Sequence, residues 1–413
     1  MLVRRFIGIF LLWIICTHSA VGSEIEVCST CSYTSIQDAV DFASSGDVII
    51  VKKGTYMEYD ILIEKPLSII GEGRPLIDVD RKGYGLIVKS DSVNIKGIDI
   101  TRIGQSYTKD YAAIYFSKSD HFKIEDVVLT KVFFGMLIEK SHHGLIQKNL
   151  VSSDAIKEAG SGNGIHMWYS SHLTVQNNEC HNLRDGIYFE FVTESTTLHN
   201  YSHDNLRYGL HFMFSNNDEY HYNKFSNNGA GVAVMFSKKI QMSNNTFTEN
   251  WGTASYGLLL KEIYDAEIVN NVFKENTIGI FTEGSTRINY INNDFENNGW
   301  AIKVSGACYT NVLKHNNFVN NSFDLSYNSK VNDNKFDNNY WSDYTGYDLD
   351  KDGIGDIPYR PVKLFSYIVN RTPETILLLR SLFMDLLNFS EKVSPVFTPD
   401  NLLDNYPQIK RFE

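Results

Sequence analysis

Proline is scarce in this chain, eight residues in 413, so little interrupts ladders of backbone hydrogen bonds. Basic residues are outnumbered: 38 Lys and Arg face 49 Asp and Glu, a formal charge of −11. An acidic surface without a basic stripe argues against nucleic acid as a partner. No Walker-type phosphate loop occurs, so any ATP hydrolysis belongs to another protein. Cysteine is limited to Cys16, Cys28, Cys31, Cys180 and Cys308. One Cys-x-x-Cys pair, Cys28 with Cys31, leaves open a disulfide, a metal clip or a cap.

What is present is a repeat. Asn-x-Phe-x-x-Asn recurs between Asn223 and Asn339, with rings at Phe225, Phe247, Phe273, Phe295, Phe318 and Phe336. The steps are 22, 26, 22, 23 and 18 residues, the mark of a solenoid that turns once per repeat. Stacked phenylalanines fill its inside. Asparagine accepts left-handed geometry and can bond to the amides above and below, which suits it to the corners. A second column supports the register, a small residue followed by an aliphatic one: Gly135-Met136, Gly164-Ile165, Gly186-Ile187, Gly209-Leu210, Gly231-Val232, Gly257-Leu258, Gly279-Ile280 and Ala301-Ile302. The expected fold is all-β, a right-handed parallel β-helix of roughly a dozen coils at ~4.8 Å each, with an N-terminal cap helix and a C-terminal helical tail.

Arg4 and Arg5 precede the apolar run Phe6 to Cys16, and Ala20-Val21-Gly22 supplies small residues. Residues 1–22 therefore read as a secretory signal, whose loss takes the charge from −11 to −13. Lipidation at Cys16 ranks second, because Ile15 before it is large. Residues 34–43 have helical spacing behind a hydroxyl cap and would cover the open end of the core. The β-helix is expected over 23–345, an Asp-rich loop over 346–360 and a helical docking tail over 361–413.

In a strand, alternate side chains face opposite ways. The first and third residues after the column glycine should face in, and the second and fourth out. The outward columns read His166, Tyr188, His211, Ala233, Leu259, Phe281 and Trp168, Glu190, Met213, Met235, Lys261, Glu283. His211, Met213 and Met235 are thus neighbours on an outer wall, with His166 and Glu190 extending it. Thioether and imidazole together favour copper over zinc, as Cu(I). The same residues can instead pack under the irregular segment 152–163, since methionine fills gaps well. His199 with His221, and Cys180 with His203 in the phenylalanine column, read as half-buried or core groups. His142-His143 reads as a solvated turn.

Asp348-x-Asp350-x-Asp352-Gly353-Ile354-x-Asp356 spaces hard oxygen ligands, with the Ile354 carbonyl, as calcium loops do. Tyr359 stands where an EF-hand has its glutamate, so the expected calcium is structural, closing the end of the rod; the alternative is an acidic turn without an ion. Farther on, Thr372-Pro373 starts a helix with an apolar stripe that includes Leu379, Leu382, Phe383, Leu386 and Leu387. With Arg380 and Asp385 in under 20 residues it is a poor membrane span. It either folds back on the rod or docks on a membrane partner.

Residues 35–73 resemble the cap of carbohydrate-binding and sugar-hydrolase β-helices. The segment from Asn338-Asn339-Tyr340-Trp341-Ser342-Asp343-Tyr344 to Asp356-Ile357-Pro358-Tyr359 resembles the NosD family of periplasmic accessory proteins more specifically. That resemblance implies copper handling with an ABC transporter permease at the inner membrane, a copper-chaperone lipoprotein and nitrous-oxide reductase, in assembly of its copper-sulfur centre. It implies no catalytic residue. The competing readings are a polysaccharide lyase or hydrolase, which needs converging carboxylates, and a carbohydrate-binding scaffold. The isolated acids Glu190 and Glu283, four coils or roughly 19 Å apart, do not suit the enzyme.

Overall fold

A computed structural model of the protein describes residues 22–328, 333–379, 381–393 and 402–413. The leader expected at 1–22 falls outside them except for Gly22, and so does Arg380. Among the described residues, three parallel sheets of 14, 13 and 12 strands run from Glu24 to Trp341. Sheet A begins with Glu24–Val27, sheet B with Thr55–Tyr56 and sheet C with Ile61–Ile63. Each strand pairs with the strand one coil away, so the fold is a β-solenoid of about fourteen turns, two more than the repeat suggested.

The glycine column sits at the start of sheet C. Its followers pair in one unbroken register, Met136 with Ile165, then Ile187, Leu210, Val232, Leu258, Ile280 and Ile302, and all are buried. The glycines are required by close approach: a Cβ on Gly135 would lie 2.4 Å from the Gly164 carbonyl oxygen, and one on Gly231 at 2.4 Å from that of Gly257.

The phenylalanine column holds from Phe225 to Phe318, with ring centroids 4.6–5.4 Å apart. Phe336 does not continue it. The short last step puts Phe336 opposite Leu313 in sheet A, and Trp341 takes the sixth place, its ring 4.1 Å from that of Phe318. The two tasks expected of corner asparagines are divided between neighbours. Asn244, Asn270 and Asn292 take the left-handed backbone, while Asn245, Asn271 and Asn293 pass hydrogen bonds from amide to amide along the rod.

Helix α1 (Ile36–Phe42) covers the N-terminal end, and the Ser35 hydroxyl accepts from the Asp38 N–H. Cys28 and Cys31 are joined by a disulfide. At the other end the Asp-rich loop is not the closing element. The asparagine ladder ends at Asn339, whose backbone N–H and Nδ2 both donate to Asp404 Oδ2 at 3.0 Å. Trp341 Nε1 donates to the same oxygen, so residues 402–413 close the rod and the loop packs on them through Gly355 N–H to the Pro407 carbonyl. Helices α2 (Leu364–Arg371) and α3 (Leu382–Val393) lie between loop and closure. No helix among the described residues is long and apolar enough to cross a membrane.

Candidate metal centre on the outer wall

The strands Ile165–Trp168, Asp185–Glu190, Tyr208–Met213 and Ala230–Met235 lie side by side in sheet C. Their outward columns pair as the alternation requires: His166 with Tyr188, Tyr188 with His211, and Glu190 with Met213. Met213 pairs with Met235 on the next coil. His211, Met213 and Met235 are therefore neighbours on one wall, both sulfur-bearing side chains half-buried.

His211 is outward but not open to solvent. It is 5% exposed, held between the rings of Tyr188 at 4.6 Å and Tyr208 at 4.8 Å. Tyr256, at the end of a surface excursion, reaches the Tyr208 hydroxyl at 3.5 Å. His166 is enclosed likewise by Phe134 and Tyr188. Both ring nitrogens of both histidines are buried without a hydrogen-bond partner. Each such orphan costs roughly 1–3 kcal/mol, and in its neutral form each ring has one nitrogen free to accept a proton or a metal ion.

Near them sit carboxylates at longer range. His211 Nδ1 lies 3.6 Å from Asp185 Oδ2, and His166 Nε2 lies 3.8 Å from Glu190 Oε2, both too long for hydrogen bonds. Asp185 is fully buried. Burial works against its ionisation, yet His211 and Arg207, whose Nε reaches Oδ1 at 2.8 Å, hold its carboxyl below the usual range. His166 holds Glu190 low in the same way. The Tyr188 hydroxyl donates toward Met213 Sδ at 3.9 Å.

The five expected ligands do not form one shell. Tyr188 stands between His166 and His211, 4.6 Å from each ring, so those imidazoles cannot meet on one ion. The set divides into His211 with Met213 and Met235, and His166 with Glu190. Tyr188 was read in the outward column but not as the ring that parts the histidines, and Asp185 was missed; the signal for Asp185 was Arg207, one coil on at the same corner. Beside the methionine column runs a stack of rings, Tyr169, Phe191, Phe214 and Phe236, with centroids 4.5–5.2 Å apart. Their faces cover one another and their edges meet solvent.

Two histidine readings fail by one residue because the coil there has 23. His221 pairs with Leu198, not His199. In the phenylalanine column Cys180 is followed by Ser202 and Phe225, while His203 pairs with His181 on the outside.

In the Asp-rich loop, Asp348, Asp350 and Asp352 each offer a carboxylate oxygen within 4.8 Å of the others, and Asp352 pushes the Asp350 carboxyl up. Asp356 is turned to the Leu349 N–H at 2.7 Å and stands outside that trio; the Ile354 N–H donates to Asp352. The tail is not the single helix expected from Thr372-Pro373: a 3-10 turn at Pro373–Leu378 ends at Leu379, α3 begins only at Leu382, and the tail's residues are split by face. Leu379 and Leu387 pack against the cluster of Trp300, Phe323, Phe365 and Val369, whereas Leu382, Phe383 and Leu386 are exposed. Folding back and presenting an apolar face are thus both true of it.

Residues 147–346 match the family described as periplasmic copper-binding protein (NosD). A protein of Stutzerimonas stutzeri named "Probable ABC transporter binding protein NosD" is 26% identical over 368 residues, 84% of each chain. The protein of that name from Pseudomonas aeruginosa PAO1 is 25% identical, covering 85% of this chain and 86% of its own. Among solved structures, the family 28 exopolygalacturonase of Yersinia enterocolitica superposes with a TM-score of 0.54 at 10% identity, over 76% of this chain and 78% of its own; that likeness is one of fold. The NosD resemblance seen in the sequence is borne out by the family match and by both relatives.

Proposed function

We propose that this NosD-family chain is a periplasmic copper-handling protein whose cargo is Cu(I), carried by His211, Met213 and Met235. The observation that carries the proposal is the pair of buried, unpartnered ring nitrogens of His211 beside two register-paired methionines. A thioether pair with one neutral imidazole is a soft donor set suited to Cu(I). His166 with Glu190 offers a second holding point two coils away. The aromatic ladder beside Met213 and Met235 gives a partner an apolar surface at the point of transfer.

The finer reading follows the family. The chain works with an ABC transporter permease, a copper-chaperone lipoprotein and nitrous-oxide reductase in assembling the copper-sulfur centre, and is held at the inner membrane through its partner. The exposed face of α3, with Leu382, Phe383 and Leu386, docks on the permease, while Leu387 on the helix and Leu379 just before it fix the tail to the rod. Asp348, Asp350 and Asp352 hold a structural calcium that stiffens the loop against residues 402–413, without Asp356, which is turned to the Leu349 N–H.

A glycosidase or lyase reading is less well supported. Glu190 faces His166, and Glu283 faces Lys261 at 3.6 Å; among the described residues neither is paired with a carboxylate of the kind glycosidic cleavage needs. The test is Cu(I) titration of the mature chain against a chromophoric chelator. His211→Ala and Met213→Leu should each weaken binding at least tenfold with the fold intact. Unchanged affinity in both removes the proposed site, and cleavage of a polysaccharide by a copper-indifferent chain replaces it with the enzyme.

A further inference from the structure

The disulfide at the N-terminal end of the rod has no task in the wall site. Cys28 follows the first strand of sheet A, and the turn through Cys31 leads to Tyr33, which bridges back to Val27. That turn is closed by backbone alone: the Cys28 N–H donates to the Tyr33 carbonyl at 3.1 Å, and the Cys31 N–H to the Cys28 carbonyl at 3.2 Å. The Tyr56 hydroxyl fastens the end of the strand by donating to the Val27 carbonyl at 3.1 Å. A disulfide between residues three apart closes a short ring, which removes less chain entropy than a long one. The S–S bond therefore adds little to a turn already held without it.

The bond is also within reach of solvent. Cys28 and Cys31 are half-buried, and Ser29, Thr30 and Ser32 around them are exposed. Cys180 and Cys308, in contrast, are sealed in the core, where burial pushes both thiols up. Accessible disulfides exchange with thiols, whereas sealed sulfurs are inert. A dithiol attacks one sulfur as its thiolate, breaking the S–S bond and forming a mixed disulfide, and its second thiol then displaces the cysteine. The dithiol leaves as a cyclic disulfide, having given up two electrons, and Cys28 and Cys31 remain as thiols. Cu(I) displaces one proton from each and binds both thiolates, with no change in its own oxidation state. Thiolate is the soft ligand that selects Cu(I), and two ligands fall short of the four that a structural Zn(II) site uses. With Cα atoms 5.0 Å apart, rotation about χ1 lets the two sulfurs approach one ion from opposite sides.

We propose that the Cys28–Cys31 pair is a redox-opened Cu(I) site, closed as a disulfide and able to take one Cu(I) ion once a dithiol has reduced it. It is separate from His211, Met213 and Met235 and does not rest on their role. The experiment treats the full mature chain with dithiothreitol, removes the reductant anaerobically, and titrates Cu(I) against a chromophoric chelator beside the untreated chain. The reduced chain should take one Cu(I) more than the oxidised one, and iodoacetamide should label Cys28 and Cys31 of the reduced chain without denaturant. Cys28→Ser with Cys31→Ser should abolish the increment, and Met213→Leu should leave it unchanged. No increment on reduction, an increment that survives in the double variant, or labelling only after unfolding overturns the proposal. If the double variant loses its fold, the wild type decides: the added Cu(I) should protect Cys28 and Cys31 from alkylation, and undiminished labelling overturns it. Failure of the wall site would lower the copper count of both forms equally and leave their difference untouched.

Discussion

The Tyr188 hydroxyl points at the Met213 sulfur across one coil, 3.9 Å away, while the Tyr188 ring separates the two buried histidines of the wall. One side chain thus restrains a thioether and keeps His166 and His211 from sharing an ion.

The two roles come apart by substitution. Tyr188→Phe keeps the separating ring and loses only the contact to sulfur, so Cu(I) affinity should fall by about threefold or less, the size of one weak hydrogen bond. Tyr188→Ala removes the wall between the imidazoles and should change the ligand set, read as an altered copper X-ray absorption spectrum.

Asp218 carries the clearest pH dependence. Its carboxyl is buried and, among the described residues, accepts only the Ser195 N–H, at 2.9 Å, and burial pushes its pKa up to about 8. The folded state therefore prefers the protonated form. Its contribution is fully present below about pH 4 and is lost as pH rises toward 8. Asp218→Asn keeps the acceptor and adds donors without charge. It should raise the melting temperature at pH 8.5 by several degrees, corresponding to about 1–3 kcal/mol, and by little at pH 4.5.

Asp404 ends the asparagine ladder by accepting from Asn339 and Trp341. Asp404→Ala would leave those buried donors unpaired, a loss of about 3 kcal/mol. Hydrogen exchange should show the C-terminal coils opening first, with the N-terminal coils unchanged, because solenoid repeats contact only their neighbours.

The tail helix offers a paired contrast. Phe383→Glu and Leu386→Glu fall on its exposed face and should change stability by under about 0.5 kcal/mol while abolishing co-purification with the transporter. Leu387→Glu would bury a charge against the Phe365 cluster and should lower the melting temperature instead. Loss of co-purification in neither of the first two removes the docking role.

The coil period, the glycine column and the pairing of His211, Met213 and Met235 were all legible in the sequence. They follow from two local rules: side chains alternate along a strand, and equal coils stack in register. Those rules fail where a coil changes length. A 23-residue turn moved His199 and His203 out of their expected columns, and the short step to Phe336 gave its place to Trp341. What covers a column is decided by chain that returns from elsewhere. Tyr256 reaches over to Tyr208 and so helps seal His211, and Asp404 comes back 65 residues to finish the ladder at Asn339. The sequence by itself determined which groups share a face. Only the tertiary structure decided which are buried, which rings part them and what closes the rod, because burial depends on contacts between segments far apart in the chain.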